Sequence, residues 1–170
     1  MADESHVQLR MSVLILIFIV GTMKILIAIL ILIHGLIHAM GFAKAFGLAE
    51  IEQLSGPISK SLGWVWLLTS ILFLAAFMLY ILKRGAWPIL AIMAVVLSQT
   101  LIFTVWSEAK YGTIINIIVL IVAIVGLATK NFENSYRRDV TFAMEKINFR
   151  SVNITENDLT RLPEPIKKYL

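Results

Sequence analysis

Residues 25–42 read ILIAILILIHGLIHAMGF, a stretch without a single charged side chain. A helix needs about 20 residues, within a range of about 17–25, to cross the hydrocarbon core of a bilayer. Three more uncharged, strongly apolar stretches of similar length follow at Leu62–Leu82, Ala86–Trp106 and Gly112–Thr129. Their connections are short, and short connections make neighbouring helices antiparallel. The sequence therefore predicts an all-α protein, an up-and-down four-helix transmembrane bundle with an amphipathic cytoplasmic tail.

The composition agrees with a membrane protein and excludes several functions. Of the 170 residues, 59% are hydrophobic and the mean hydropathy is +0.85, whereas soluble domains are about 45–50% apolar. The net charge of +4 is spread along the chain, so we expect no binding to nucleic acid. Because the chain has no cysteine, disulfides, thiol catalysis and thiolate metal sites are excluded.

The composition becomes charged and polar from Lys130 onward. Apolar residues recur there at helical spacing between charged ones, namely Phe132, Tyr136, Val140, Ala143 and Ile147, which predicts an amphipathic helix. We predict three regions. Residues 1–22 form an N-terminal apolar extension, residues 23–130 the four-helix transmembrane domain, and residues 131–170 the cytoplasmic amphipathic tail.

The start of the first helix is ambiguous because Lys24 interrupts the apolar run. Either Met11–Ile33 spans the membrane with Lys24 near its middle, or Ile25–Phe42 spans it and Lys24 reaches the interface. We favour the second register, because a charge in the middle of the membrane costs at least about 2.5–3.5 kcal/mol. One long tilted helix from Val13 to Phe42 satisfies both. A cleaved signal peptide is not expected, since acidic residues precede the apolar stretch.

Basic residues predict the orientation in the membrane. One side of the predicted bundle collects the N-terminus, the loop between the second and third helices and the tail, with Arg10, Lys83, Arg84, Lys130, Arg137 and Arg138. The other side has three lysines, Lys44, Lys60 and Lys110, mixed with glutamates. The positive-inside rule then places both termini in the cytoplasm. We expect a multi-pass protein of the bacterial inner (plasma) membrane.

Two features outside the spans carry further expectations. The connection from Ala43 to Ser61 has apolar residues spaced like a short surface helix, namely Phe46, Leu48, Ile51 and Leu54. All four tryptophans, Trp64, Trp66, Trp87 and Trp106, fall at the ends of predicted spans. That position is typical of the aromatic belt at the bilayer interface.

The most suggestive polar residues are His34 and His38, four residues apart and therefore on one helix face. Such a pair can offer two imidazoles to one metal ion, but a metal needs more ligands, and only Glu108 is expected to approach. A haem normally takes axial ligands from opposite faces, so this pair cannot bracket one alone. The alternatives are a haem shared across a homodimer, hydrogen bonds to neighbouring helices or contact with water near the outer leaflet, and contact with a quinone or another ligand.

Other polar residues lie inside the third and fourth spans. Gln99 is deep in the third helix, and Asn116 lies one turn into the fourth. Amides in hydrocarbon must find partners, so we expect hydrogen bonds between helices, or a polar pocket in which Gln99 joins His34 and His38 as a cofactor-contacting residue. Small residues also recur along the first helix, at Gly21, Ala28, Gly35, Ala39 and Ala43. They predict close helix packing, within the bundle or across a homodimer.

Four segments carry a resemblance to known proteins: His34–Leu48, Gly56–Lys60, Leu97–Leu101 and Glu108–Asn116. Over roughly residues 23–170 the chain resembles a family of bacterial four-helix integral membrane proteins without an assigned activity, distantly similar to DoxX-like proteins. Some relatives continue into a soluble domain after a segment like Leu-Pro-Glu-Pro, here residues 162–165. Some DoxX-like proteins are associated with quinone-linked oxidation, so the resemblance implies a redox accessory role as one option.

Three functions therefore remain from the sequence. The first is a non-enzymatic membrane subunit, an anchor or scaffold in contact with lipids and with other membrane subunits or further copies of itself. It is favoured because no complete catalytic set is present. The second is a redox accessory protein that contacts quinone or haem through His34, His38 and Gln99. The third is a small transporter.

Overall fold

The computed structural model describes residues 2–146 and Pro163. The described chain forms five helices and no strand, in the order α1 (Ala2–Ala45), α2 (Lys60–Ile81), α3 (Trp87–Thr104), α4 (Trp106–Ala109) and α5 (Gly112–Lys146). Four of these helices are long and apolar enough to cross a membrane. The predicted all-α four-helix bundle is thus confirmed.

The chain divides into two units, Met1–Phe132 and Glu133–Leu170. The first holds the bundle, in which α1 packs on α2 and α2 packs on α3. The first part of α5 completes it through side-chain contacts with α1 and α3. In the second unit, the described residues before Pro163 are the last turns of α5, to Lys146. The predicted tail helix is present that far, and residues 147–162 and 164–170, with most of the Leu-Pro-Glu-Pro segment, lie outside the described residues.

The core of the bundle consists mainly of small side chains. Its fully buried members are Ile31, Phe73, Ala76, Ala91, Ala94, Val95, Val119 and Ala123. On α1 the buried positions Ala28, Ile31, His34 and His38 follow the three-to-four-residue spacing of one helix face. This face turns both histidines into the bundle.

Glycines let α1 and α2 approach closely. A Cβ atom added at Gly35 would lie 2.8 Å from the Cβ of Phe73, a distance that requires the two helices to move apart. Gly35 thus serves packing within the bundle, one of the two uses predicted for the small residues of the first helix. Gly21, in contrast, has no atom within 4 Å of such a Cβ.

Helix α1 ends at Ala45 and is followed by a left-handed glycine, Gly47, and the connection after it is not helical. Gly47 has a φ of +65°, and the amide of Leu48 donates to the carbonyl of Ala43 at 2.8 Å, as in a Schellman motif. Residues 46–59 then form turns and irregular structure, so the predicted surface helix is wrong. The segment instead folds back onto the bundle and buries Leu54, which is 8% exposed.

Helix α2 ends in the same motif, but with a lysine at the left-handed position. Lys83 has a φ of 53°, and the amide of Arg84 donates to the carbonyl of Leu79 at 2.8 Å. A side chain with a Cβ pays about 1 kcal/mol in this conformation.

We therefore expect Lys83→Gly to raise the free energy of unfolding by about 1 kcal/mol, measured by denaturation in mixed micelles. Lys83→Ala is the matched control, because it removes the charge and keeps the Cβ. If Lys83→Ala stabilises the protein as much as Lys83→Gly, the charge and not the backbone conformation is responsible.

Helix α1 is one continuous helix through Lys24, as in the long-helix alternative. The candidate membrane span His6–Ala45 contains 40 residues, with Arg10, Lys24 and Lys44 among them, and at 1.5 Å per residue it is about 60 Å long, roughly twice the thickness of the hydrocarbon core. Large apolar side chains from Val7 to Leu26 are exposed. The position of the membrane along α1 and the boundary at residue 22 stay predictions.

Candidate functional site

A cavity of about 370 Å³ lies at the end of the bundle where the 46–59 connection, α4 and the start of α5 meet. Most of its wall is apolar and comes from residues such as Ile37, Met40, Leu54, Ile102 and Ile115. A few polar side chains join them, namely His34, His38, Gln53, Trp66, Glu108 and Tyr111. An apolar cavity with a few convergent polar groups is the usual form of a small-molecule site.

His34 belongs to a hydrogen-bond network that links three helices. Its Nε2 atom lies 2.9 Å from Oδ1 of Asn116 and 3.3 Å from Oγ of Ser98. The Ser98 hydroxyl also donates to Asn116 Oδ1, at 3.0 Å. Because Asn116 Oδ1 is only an acceptor, His34 Nε2 carries the proton. The network fixes the ring of His34 between α1, α3 and α5.

Gln99 extends this network away from the cavity. Its Oε1 atom accepts from Asn116 Nδ2 at 3.1 Å, and its Nε2 donates to Thr113 Oγ1 at 3.1 Å. Gln99 lines a shallow groove between α3 and α5 and is not part of the wall of the histidine cavity. The predicted hydrogen bonds between helices are present, and the structure links Gln99 to the histidines only through Asn116. Contact of the three residues with a cofactor stays a prediction.

His38 is held by its own helix. Its Nδ1 atom lies 2.9 Å from the carbonyl oxygen of His34, and a carbonyl only accepts, so Nδ1 carries the proton. In the neutral ring, Nε2 is then a hydrogen-bond acceptor. This atom is buried and has no hydrogen-bond partner among the described residues.

Trp66 is inside the bundle, not at its surface. It is 3% exposed, whereas Trp64 is 58% exposed and Trp106 49%, so the aromatic-belt prediction is wrong for Trp66. Its indole packs against Gly41, where a Cβ would overlap the ring. Its ring centroid lies 5.2 Å from that of His38, and its buried Nε1–H lacks a hydrogen-bond partner within the described chain.

The connection between α1 and α2 is fastened over the cavity by one carboxylate. Glu108 of α4 accepts hydrogen bonds from the backbone amide of Ser55 at 3.2 Å and from the Ser55 hydroxyl. Leu54 and Gln53, which precede Ser55, line the cavity. The hydroxyl of Ser55 is the main cause that lowers the pKa of Glu108 below its usual value of 4.5. We call this contact the Ser55–Glu108 latch.

The latch is expected to open in acid. Because the pKa of Glu108 is lowered in the latched state, the ionised carboxylate stabilises the latch at neutral pH. This stabilisation is lost as the pH falls through the lowered pKa. A spin label at Gln53→Cys, in a chain without other cysteines, should therefore become more mobile as the pH falls below about 4.5. The Ser55→Ala and Glu108→Gln backgrounds should be mobile already at pH 7.

The control for the latch is a label at Leu36→Cys, on the exposed side of α1, whose mobility should not change. Glu50 and Glu52 lie on the same connection, so a pH response that survives in Glu108→Gln would assign the opening to them and contradict the latch.

The two histidines offer few ring nitrogens to a metal or a haem. No cluster of three or more possible metal ligands occurs in the part of the chain that the structure describes. The Nε2 of His34 donates within the bundle, so the ring lone pairs that remain for a ligand are on His34 Nδ1 and His38 Nε2.

The fold and the hydropathy of its helices define the class: the chain is a multi-pass integral membrane protein built as a four-helix bundle. Comparison with protein-family models, curated proteins and solved structures found no match.

Proposed function

We propose that this membrane protein binds a small lipophilic molecule in the histidine cavity. The observation that carries the proposal is the cavity itself, about 370 Å³ and mostly apolar, with His38 and Trp66 in its wall. Ligand sites for small molecules typically measure about 300–1,000 Å³ and place a few polar groups in an apolar wall. The size suits one ring or a short branched chain more than a phospholipid.

The architecture supports a binding role in three ways. The network around His34 fixes one side of the cavity, because its hydrogen bonds join α1, α3 and α5. Gly41 allows the indole of Trp66 to enter the bundle beside His38. The Ser55–Glu108 latch holds the connection that forms the outer wall.

A quinone, the option raised by the DoxX-like resemblance, fits the size of the cavity. It can pair with only one of the two buried atoms without a partner, Trp66 Nε1 and His38 Nε2. Quinone oxygens accept hydrogen bonds, and Trp66 Nε1–H can donate to one. His38 Nε2 cannot donate in the neutral form set by its bond to the His34 carbonyl. A redox accessory role for this bundle would thus depend on the reduced form of such a molecule.

The test is co-purification of a ligand from native membranes. The protein is isolated in lipid nanodiscs formed directly from the membrane, and the extract is analysed by mass spectrometry and absorption spectroscopy. We expect about one lipophilic molecule per chain besides bulk lipids. Ala109→Leu, which fills the cavity, should lose this molecule, and the matched Ala128→Leu on an exposed position of α5 should retain it. Extracts with bulk lipids alone would contradict the proposal.

A second candidate is an anchor or scaffold subunit, supported by the N-terminal half of α1. Its apolar side chains are exposed on all sides from Met11 to Val20, and the span His6–Ala45 is about 30 Å longer than the hydrocarbon core is thick. An apolar helix of that length needs lipid or protein around it. Residues Met11–Val20 are thus the surface that a partner subunit, or a second copy of the chain, would cover.

Crosslinking tests the scaffold. Single cysteines at Leu14 and Phe18, both exposed, are oxidised in native membranes, and the products are identified by mass spectrometry. A defined adduct with one partner or with a second copy supports the scaffold role. The scaffold role would be contradicted if cysteines at Leu14 and Phe18 gave no crosslink while a cysteine at an exposed position of α3, such as Val96, did.

A further inference from the structure

Two buried polar atoms without a hydrogen-bond partner belong to neighbouring rings, those of His38 and Trp66, and both residues line the histidine cavity. Among the buried side-chain nitrogen and oxygen atoms that the structure describes, His38 Nε2 and Trp66 Nε1 are the ones without a hydrogen-bond partner. The two residues are 2% and 3% exposed, and their ring centroids are 5.2 Å apart with an angle of 39° between the planes. Buried polar atoms without partners are rare in folded proteins, and two on adjacent rings are a specific feature of this cavity.

The two atoms have opposite hydrogen-bonding roles. Trp66 Nε1 always carries a hydrogen and is only a donor. His38 Nδ1 donates to the His34 carbonyl, which makes His38 Nε2 an acceptor in the neutral ring. His38 is 2% exposed, so a charged ring would be costly, and Glu108, the carboxylate of the cavity wall, is bonded to Ser55; the neutral form applies. One ligand group that accepts a hydrogen bond from Trp66 and donates one to His38 would therefore satisfy both atoms.

We infer that the ligand is a lipophilic alcohol or phenol whose hydroxyl group accepts from Trp66 Nε1–H and donates to His38 Nε2. The inference rests on the proposed function and names the ligand class for that cavity. A hydroxyl is the smallest neutral group that fills both roles through a single atom. An ether or ketone oxygen only accepts and leaves His38 Nε2 unpaired.

Most of the remaining wall is apolar, which favours an apolar remainder of the ligand, and its other polar side chains are Gln53, Glu108 and Tyr111. Ile37, Met40, Leu54, Ile102 and Ile115 contribute no side-chain hydrogen bonds. His34, the nearest other polar ring at 4.8 Å between centroids, already donates its Nε2 hydrogen to Asn116. A second polar group on the ligand, such as the extra atom of an amide, would thus meet few partners.

The test compares two ligands that differ only at the hydroxyl. 4-Hexylphenol and 4-hexylanisole are titrated into the wild-type protein in nanodiscs, and the ¹⁵N resonance of the Trp66 indole reports binding. Trp66→Phe assigns that resonance. Affinities are expressed as the mole fraction of ligand in the bilayer. The comparison of the two ligands is then independent of how strongly each partitions into the lipid. We expect the phenol to bind at least about tenfold more tightly, because the ether leaves a buried acceptor unpaired.

Two variants separate the two hydrogen bonds. His38→Phe removes the acceptor, so the preference for the phenol over the ether should disappear. Trp66→Phe removes the donor, so both ligands should bind more weakly while their ratio, followed by calorimetry, stays near the wild-type value. Trp64→Phe is the matched control, because Trp64 lies two residues before Trp66 and is exposed. It should change neither affinity.

The outcomes distinguish this inference from the proposed function. Equal wild-type affinities for phenol and ether would overturn the hydroxyl assignment and leave the lipophile site of the proposed function in place. Absence of binding by both ligands, together with extracts that contain bulk lipids alone, would overturn both. The comparison of ligands on the wild-type chain is decisive even if His38→Phe does not fold.

Discussion

Gly35→Leu is expected to destabilise the bundle by about 3 kcal/mol, the upper end of the usual cost of overpacking. The Cβ alone would lie 2.8 Å from Phe73 Cβ and 3.6 Å from the backbone nitrogen of Leu74. Phe73 is fully buried, so neither its Cβ nor the backbone of α2 can yield without separating α1 from α2. Equilibrium unfolding in mixed micelles, followed by circular dichroism, measures the loss.

Gly21→Leu is the matched control on the same helix. No atom lies within 4 Å of a Cβ at Gly21, and leucine is a better helix former than glycine by up to about 1 kcal/mol. This variant should be as stable as the wild type or slightly more stable. If both glycine variants lose the same stability, the cause is not the contact between Gly35 and Phe73, and the close approach of α1 and α2 is refuted.

Asn116→Leu is expected to cost about 2 kcal/mol. Asn116 is 2% exposed, accepts from His34 and Ser98 and donates to Gln99. Leucine has a similar volume but leaves the His34 N–H and the Gln99 carbonyl without this partner. A buried polar group without its hydrogen bond costs about 1–3 kcal/mol, and hydrogen bonds between membrane helices contribute about 0.6–1.7 kcal/mol each.

A double-mutant cycle isolates the network. Ser98→Ala removes a second donor to Asn116 Oδ1, so the double variant should lose less than the sum of the single losses. Thr100→Val is the control, because the Thr100 hydroxyl bonds to the Val96 carbonyl of its own helix and is exposed. Additive losses for Ser98 and Asn116, or a Thr100→Val loss as large as that of Asn116→Leu, would contradict the network.

The sequence predicts α2, α3 and the start of α5 well because the bilayer sets where apolar runs must be helical, whereas α1 and α5 extend beyond their predicted spans. The predicted Leu62–Leu82 corresponds to α2 at Lys60–Ile81, and the predicted Ala86–Trp106 to α3 at Trp87–Thr104. The start of α5 at Gly112 is also as predicted. In each case an uncharged run bounded by polar or turn residues is sufficient evidence, because the backbone must satisfy its own hydrogen bonds in lipid.

The site is harder to predict for the same reason. When almost every position of a helix is apolar, hydropathy does not reveal which face is buried, and the orientation depends on where small residues permit contact. The burial of Trp66 depends on Gly41 of another helix, a pairing that no local pattern shows. His34 and His38 stand out as rare polar residues, but their partner Trp66 resembles any interfacial tryptophan.

The alanine-rich core has a consequence for the dependence of stability on temperature. Ala76, Ala91, Ala94 and Ala123 are fully buried, and alanine gives up no side-chain rotamers on burial. Separation of such helices within a bilayer exposes them to lipid and not to water, so it lacks the apolar hydration that produces the heat-capacity change of soluble proteins. The association of these helices should therefore weaken nearly linearly on warming and show no cold dissociation.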